Sequence, residues 1–339
     1  MSGLLRYRAW KRSDKPARIL VIRYQALGDT VITLPYIQHL RVNHPTSRID
    51  LLTRQEDQPI PESLELYDRV IPVYGGRNAR LQFIWSLCLL PWLWSQRYQV
   101  VLDLQNHKIS RIVRVLLFPE AWCQFDRVSP IPAGDRTRLA IASVGLGDGL
   151  QYHFKYRHTT DGLIQKLKRE GWNGAQVVLL NPAGFFPSRN WPISNYIQFA
   201  KCWLKEEEVQ FLILGLPALK AKAQLLKEAL GNQLIDLTGA TTSAEAFGLM
   251  QMVRFTLAED SGLMHMSWVQ QVPTLALFGS TRSDWSRPLG AHSGILDSSD
   301  LPCGNCMAPT CRLATLHCLT RYSGEYVFKK AKELLQQQG

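Results

Sequence analysis

Two carboxylates follow apolar runs at places where a chain usually turns, and both stand beside a glycine. The first is Asp29, in Gln25-Ala26-Leu27-Gly28-Asp29-Thr30 after the β-rich run Arg18–Tyr24. A Gly before an Asp at a strand-to-helix turn lets a ligand approach the backbone. Asp29 itself can cap the following helix, or accept a proton as a general base, or do both. The second is Asp260, in Ala258-Glu259-Asp260-Ser261-Gly262-Leu263-Met264-His265. Here a strand runs into Asp-Ser-Gly and then into a helix whose free amides form an anion site, with Gly262 admitting a phosphate. The next apolar run ends in a second small-residue turn, Phe278-Gly279-Ser280-Thr281.

Other strand ends hold further candidates. Asp103 and Gln105, in Asp103-Leu104-Gln105-Asn106-His107-Lys108, share one strand face and can line a pocket or cap the next helix, while His107 and Lys108 read as solvated. Asn181-Pro182-Ala183-Gly184 is followed by Ser188-Arg189-Asn190-Trp191-Pro192. The Arg189 guanidinium suits a diphosphate, since its fork matches phosphate oxygens; the alternative is an ordinary surface loop anchored by Trp191. Cys303, Cys306, Cys311 and Cys318 form a compact cluster with His317 adjacent. Four thiolates at this spacing can hold Zn²⁺ or iron as a structural staple, or remain free thiols, or pair on oxidation.

The elements that must position these residues alternate throughout the 339 residues. Strand-like runs fall at Arg18–Tyr24, Ile49–Thr53, Arg69–Tyr74, Gln99–Gln105 and Ala121–Phe125, with helical candidates at Ala79–Ser95 and Lys108–Leu117. The region Pro130–Thr160, rich in Pro and Gly, breaks the rhythm and is expected to hold the domain linker. Alternation resumes with strands at Gln176–Asn181, Val209–Gly215, Leu234–Leu237, Arg254–Ala258 and Pro273–Phe278, and a last helix from Gly324. This pattern predicts two α/β domains with parallel, doubly wound sheets and ligands at the carboxyl ends of the strands, in a cleft between them. The expected divisions are 1–157, 158–323 and the terminal helix 324–339.

Charge is distributed unevenly. Residues 1–157 carry 22 basic and 13 acidic side chains, and residues 158–339 carry 17 and 15. The first half therefore has the stronger claim to an anionic partner. Phe83, Trp85, Trp92 and Trp94, flanked by Arg77, Arg80 and Arg97, either meet a membrane interface or belong to a buried amphipathic helix. A pI near 9.4 suits nucleic acid as well. However, the aromatics cluster in one segment and do not interleave with Lys and Arg, so a nucleic-acid partner is not expected. No secretory signal or spanning segment is visible, and a cytoplasmic location is expected.

Four blocks in this order resemble the heptosyltransferase family, glycosyltransferase family 9: ILVIRYQALGDTVITLP at 19–35, VVLDLQ at 100–105, NPAGFFPSRNWP at 181–192 and LAEDSGLMHMSWVQQVPTLALFGST at 257–281. The resemblance implies a GT-B architecture with an acceptor-binding first domain and a nucleotide-sugar-binding second domain. It implies inverting transfer from ADP-heptose to lipopolysaccharide core, without a required metal, at the inner face of the bacterial inner membrane. By position, Asp29 matches the family's base, with Gly28, Asp103 and Gln105 on the acceptor side. Arg189 stands where a Lys is usual. Asp260, Ser261, Gly262, Leu263 and Thr281 match the donor site, and Asp236 and Thr238 fall near the nucleoside. Asn181-Pro182-Ala183-Gly184 replaces His-Pro-Gly, and Glu259 replaces a neutral residue, where a carboxylate beside a diphosphate is unfavourable. Another nucleotide sugar, a protein acceptor or a nucleotide-sugar epimerase are the alternatives.

Overall fold

The computed structural model describes residues 5–157 and 159–338. The chain forms two compact units, one up to residue 158 and one from residue 159. Residue 158, where the sequence puts the domain boundary, lies outside the described residues.

The first unit holds β1 (Tyr7–Arg8), β2 (Arg18–Ile22), β3 (Arg48–Arg54), β4 (Arg69–Val73), β5 (Val100–Asp103) and β6 (Ala121–Gln124). They order β1-β6-β5-β2-β3-β4, and only β1 runs antiparallel, Tyr7 opposite Cys123. β1 lies in the basic arm, where the sequence predicts no strand; two residues are too few to show a period. Leu20, Ile22, Leu52, Val101, Leu90 and Leu93 pack one face of this sheet. The expected linker region is not irregular throughout. It contains the helix Ala133–Ser143, whose Ala140 and Ile141 are buried. Gly134 in its first turn and the buried Arg136 and Thr137 mask its periodicity.

The second unit holds β7 (Gln176–Asn181), β8 (Val209–Gly215), β9 (Leu234–Thr238), β10 (Val253–Glu259), β11 (Thr274–Leu277) and β12 (Ser293–Leu296). All pairings are parallel, in the order β12-β11-β10-β7-β8-β9. The sequence reading misses β12 and the helix Asp161–Arg169; each is short and only partly buried. The terminal helix Gly324–Gln336 puts Val327, Phe328, Ala331 and Leu334 into the same core as Phe199, Trp203, Phe211 and Phe255.

Strand order fixes where ligands can bind. In each unit the first strand of the doubly wound set lies beside the fourth, β2 beside β5 and β7 beside β10. The connections leave these two strands in opposite directions, which opens a crevice at their carboxyl ends. Those ends are Arg23–Asp29 with Asp103–His107 in the first unit, and Asn181–Trp191 with Glu259–Leu263 in the second.

Candidate functional site

In the first unit, Asp29 is the third residue of the helix Leu27–Asn43. Its Oδ2 accepts from the Ala26 amide at 3.1 Å and pairs with Arg23 Nη2 at 3.0 Å. The Gln25–Ala26 peptide is cis. Arg23 is buried, donates to the Leu104 carbonyl and stacks 5.0 Å over the Phe125 ring. A fixed guanidinium therefore orients a half-exposed carboxylate, and both contacts fall on one oxygen. The sequence reading passes over Arg23. Its signal is a lone basic residue inside the run RILVIRY, which is costly to bury unless it is paired.

Two expected acceptor contacts are corrected. Asp103 is fully buried, accepts from the Asn106 amide at 2.7 Å and faces Arg114 Nε at 3.5 Å. Burial pushes its carboxyl above the usual range. Gln105 is also buried, and its Oε1 accepts from the Gln25 amide at 2.9 Å. Gln105 thus holds the Asp29 turn and Asp103 its own strand end, and both offer a ligand little surface. Gly28 remains half-exposed beside Asp29.

His107 is not solvated, as the sequence suggests. Its Nδ1 caps the next helix at the Ser110 amide, 3.0 Å away, and its ring meets Tyr24 edge-on at 5.1 Å. Burial lowers its pKa. It lines a cavity of about 490 Å³ together with Gln25, Arg77, Arg80, Phe83 and Lys108. Three cations and no carboxylate line this space, which suits an anionic ligand.

In the second unit, Arg189, Asp260 and Ser261 come together at the switch point, and Asp236 and Thr238 do not. Arg189 Nη1 lies 3.4 Å from Asp260 Oδ2, and the guanidinium stands 5.0 Å over the Phe186 ring. Ser286 donates to the other Asp260 oxygen at 3.4 Å. Ser261 caps the helix Gly262–Val269 through the Met264 amide, which leaves the Gly262 and Leu263 amides at its start. Asn181 Nδ2 donates to Ser261 Oγ at 2.5 Å, so the first and fourth strand ends are joined directly. Thr281 and Thr238 are buried with hydroxyls that have no partner among the described residues. Asp236 accepts from the Thr238 amide at 2.8 Å at the end of β9. That end lies three strands from β10, roughly 14 Å at the usual strand spacing. His265 is buried and accepts from Trp268 Nε1 at 3.0 Å.

Close backbone approach holds the Arg189 turn. A Cβ on Gly184 would meet the Arg189 carbonyl at 2.6 Å, and one on Gly279 would meet the Ser188 carbonyl at 2.3 Å. Glu259, which the sequence puts beside the diphosphate, lies under the Gly184–Trp191 loop. It is fully buried; its Oε2 accepts from the Gly184 amide at 2.6 Å and its Oε1 from the Trp191 amide at 2.7 Å. Burial raises its pKa to about 7, against the pull of Lys222 and the two amides.

The folded state therefore holds the Glu259 proton more tightly than the unfolded state does. Stability should fall as pH rises from about 4.5 to about 7, by on the order of 3 kcal/mol from this group, and level off above. Glu259→Gln should flatten that slope relative to wild type. It should also cost about 1–3 kcal/mol, because an amide side chain offers one acceptor to two backbone donors. Denaturant midpoints at several pH values test both; an unchanged slope would remove Glu259 as its source.

The four clustered cysteines line one cavity of about 180 Å³ with His317, and all are free. Among the described residues, no three His, Cys, Asp or Glu side chains stand together as a metal-binding group. The Leu316 and Leu313 amides hold the Cys311 thiol below the usual range, and burial holds Cys318 above it. The segment also supports the Arg189 turn: Ser188 Oγ donates to the Ala308 carbonyl at 2.5 Å and meets Ser280 Oγ at 2.8 Å.

Residues 150–317 match the family model for glycosyltransferase family 9 (heptosyltransferase). The second half of the chain thus carries the sequence pattern of the heptosyltransferase family. That match falls almost wholly on the second unit. Lipooligosaccharide heptosyltransferase 2 of Campylobacter jejuni is 32% identical over 171 residues, 48% of this chain and 52% of that protein. The chain thus spans about half the length of that relative. Lipopolysaccharide heptosyltransferase 1 of Pseudomonas aeruginosa is 24% identical over 87% of both chains. The crystal structure of a family 9 glycosyl transferase from Veillonella parvula superposes with a TM-score of 0.81, at 20% identity, over 97% of this chain and all of that one. The two α/β units are thus those of the GT-B heptosyltransferase fold.

Proposed function

We propose that this chain is an inverting glycosyltransferase that moves a heptose from ADP-heptose to the lipopolysaccharide core. The carrying observation is the cluster of Arg189, Asp260 and the Ser261-capped helix start at the second switch point. Arg189 and the Gly262 and Leu263 amides receive the diphosphate, and Thr281 adds a hydroxyl. The nucleoside extends toward Asp236 and Thr238 at the end of β9. Because Glu259 lies under the Gly184–Trp191 loop, the charge conflict suggested by the sequence does not arise.

On the acceptor side, the cavity of Arg77, Arg80 and Lys108 takes the anionic sugar or phosphate groups of a glycolipid. Asp29 accepts the proton of the attacking hydroxyl. The new bond forms at the anomeric carbon as its bond to the diphosphate oxygen breaks, and ADP leaves with its charge held by Arg189 and the two amides. The reading gives the diphosphate charge to protein donors, with no metal required, and puts the enzyme at the inner face of the inner membrane as a peripheral protein.

Calorimetric titration with ADP, ADP-heptose, UDP-glucose and GDP-mannose tests the donor. Binding is expected with the adenine ligands alone, and Arg189→Ala should weaken it. Preference for a uridine or guanosine ligand would overturn the donor assignment.

A further inference from the structure

The helix Ala79–Ser95 is turned inside out. Its internal polar residues are hidden: Gln82 is 4% exposed and donates to the Gly76 carbonyl at 2.5 Å, and Ser86 is 1% exposed and bonds Tyr24 at 3.0 Å. Its outer side is apolar. Ile84 is 53% exposed and Trp85 43%, and Leu81, Leu87, Trp92 and Trp94 are exposed with them. At 100° per residue, Leu81, Ile84, Trp85 and Trp92 fall within an arc of about 100°. A helix facing water carries the opposite pattern. The apolar surface continues onto the neighbouring helix, because Trp94 Nε1 donates to the Leu116 carbonyl at 2.7 Å. Beyond it Phe118, 78% exposed, stands at a left-handed φ of 47°.

The chain segment that carries this face has charges of one sign. Between Asp68 and Asp103 the chain has no Asp or Glu, but it has Arg69, Arg77, Arg80 and Arg97. Arg77 and Arg80 lie at the start of the helix and Arg97 just past its end. The Arg69 guanidinium stands 5.6 Å over the Trp92 ring. A second copy docked on the same face would bring these arginines against each other, with no carboxylate from the same segment to pair them. An anionic bilayer satisfies both features: Trp and Arg settle at the headgroup level while the apolar side chains enter the acyl boundary. No helix among the described residues is long and apolar enough to span a membrane, so this one would lie along the surface.

We infer that the outer face of Ala79–Ser95, continued by Phe118, docks this protein on an anionic lipid bilayer. The inference rests on the proposed lipid acceptor for its purpose. It sets Arg77 and Arg80, and the cavity they line, at the level of the lipid headgroups, where the acceptor's charged groups lie.

Co-sedimentation with phosphatidylethanolamine vesicles containing phosphatidylglycerol tests it, with phosphatidylcholine vesicles as the comparison. Wild type should bind the anionic vesicles about tenfold or more tightly, and lose most of that difference in about 0.5 M salt. The double variant Ile84→Ser, Trp85→Ser should bind anionic vesicles at least about tenfold less well. Its circular dichroism, its ADP titration and its transfer to a water-soluble, deacylated acceptor should match wild type. Equal vesicle binding by the variant and wild type would overturn the inference. So would equal wild-type binding to both lipids, or a wild-type dimer without lipid that the variant converts to monomer. Vesicle binding lost in the variant while wild type transfers no sugar would uphold the docking face and refute the transferase reading. Transfer with no vesicle binding would do the reverse.

Discussion

Asp29→Asn should lower kcat for sugar transfer by roughly 10²–10⁴-fold, the usual contribution of a positioned general base. The amide is nearly isosteric with the carboxylate. Its oxygen can still accept from the Ala26 amide and from Arg23, so the turn should keep its geometry. ADP affinity should not change, because every group assigned to the nucleotide lies in the other unit. Single-turnover transfer measured beside calorimetric ADP binding separates the two effects. Transfer at the wild-type rate would remove Asp29 as the base. Loss of ADP binding would mean that the substitution damages more than the acceptor turn.

Arg189→Ala should cost about 10²–10³-fold in kcat/KM, in the range found when a donor to developing charge is removed. Two changes act together. The leaving diphosphate loses a guanidinium, and Asp260 loses the cation 3.4 Å from its carboxylate. An unpaired carboxylate then stands where the diphosphate is expected, so ADP affinity should fall as well as the rate. Arg189→Lys should recover much of both, since an ammonium restores the charge without the bidentate fork. If alanine and lysine variants were equally active, the assigned role would be wrong. If Arg189→Ala lost only stability, the residue would be a packing element seated on Phe186.

The parts legible in the sequence are those that depend on local pattern. Apolar runs and the small residues after them locate β2, β7 and β10, and with them Asp29, Arg189 and Asp260. Partners chosen by tertiary packing are a different matter. Arg23 and Asp29 lie six residues apart and share no helix face, so only the turn reveals their pairing. Glu259 and Asp260 are neighbours with opposite fates, because alternate strand residues point to opposite sides. One carboxylate goes under the Gly184–Trp191 loop and the other toward the site. Asp103 and Gln105 follow a similar logic: a polar strand end reads equally well as pocket lining or as support, and burial decides for support. The cysteine spacing describes what four thiolates could do, but not whether the backbone gathers them.

The same strand order in both units has a consequence for how such a protein can change over time. Each crevice is assembled from its own unit: Asp29, Arg23 and the cationic cavity from one half of the chain, Arg189, Asp260 and the Ser261 cap from the other. On the proposed assignment of donor and acceptor sides, substitutions that alter which sugar is accepted and substitutions that alter where it is attached therefore fall on separate stretches of the gene. A lineage with that activity could keep its activated-sugar supply and explore new acceptors by varying the first half alone. Hybrids that join halves from different lineages would exchange one preference while keeping the other.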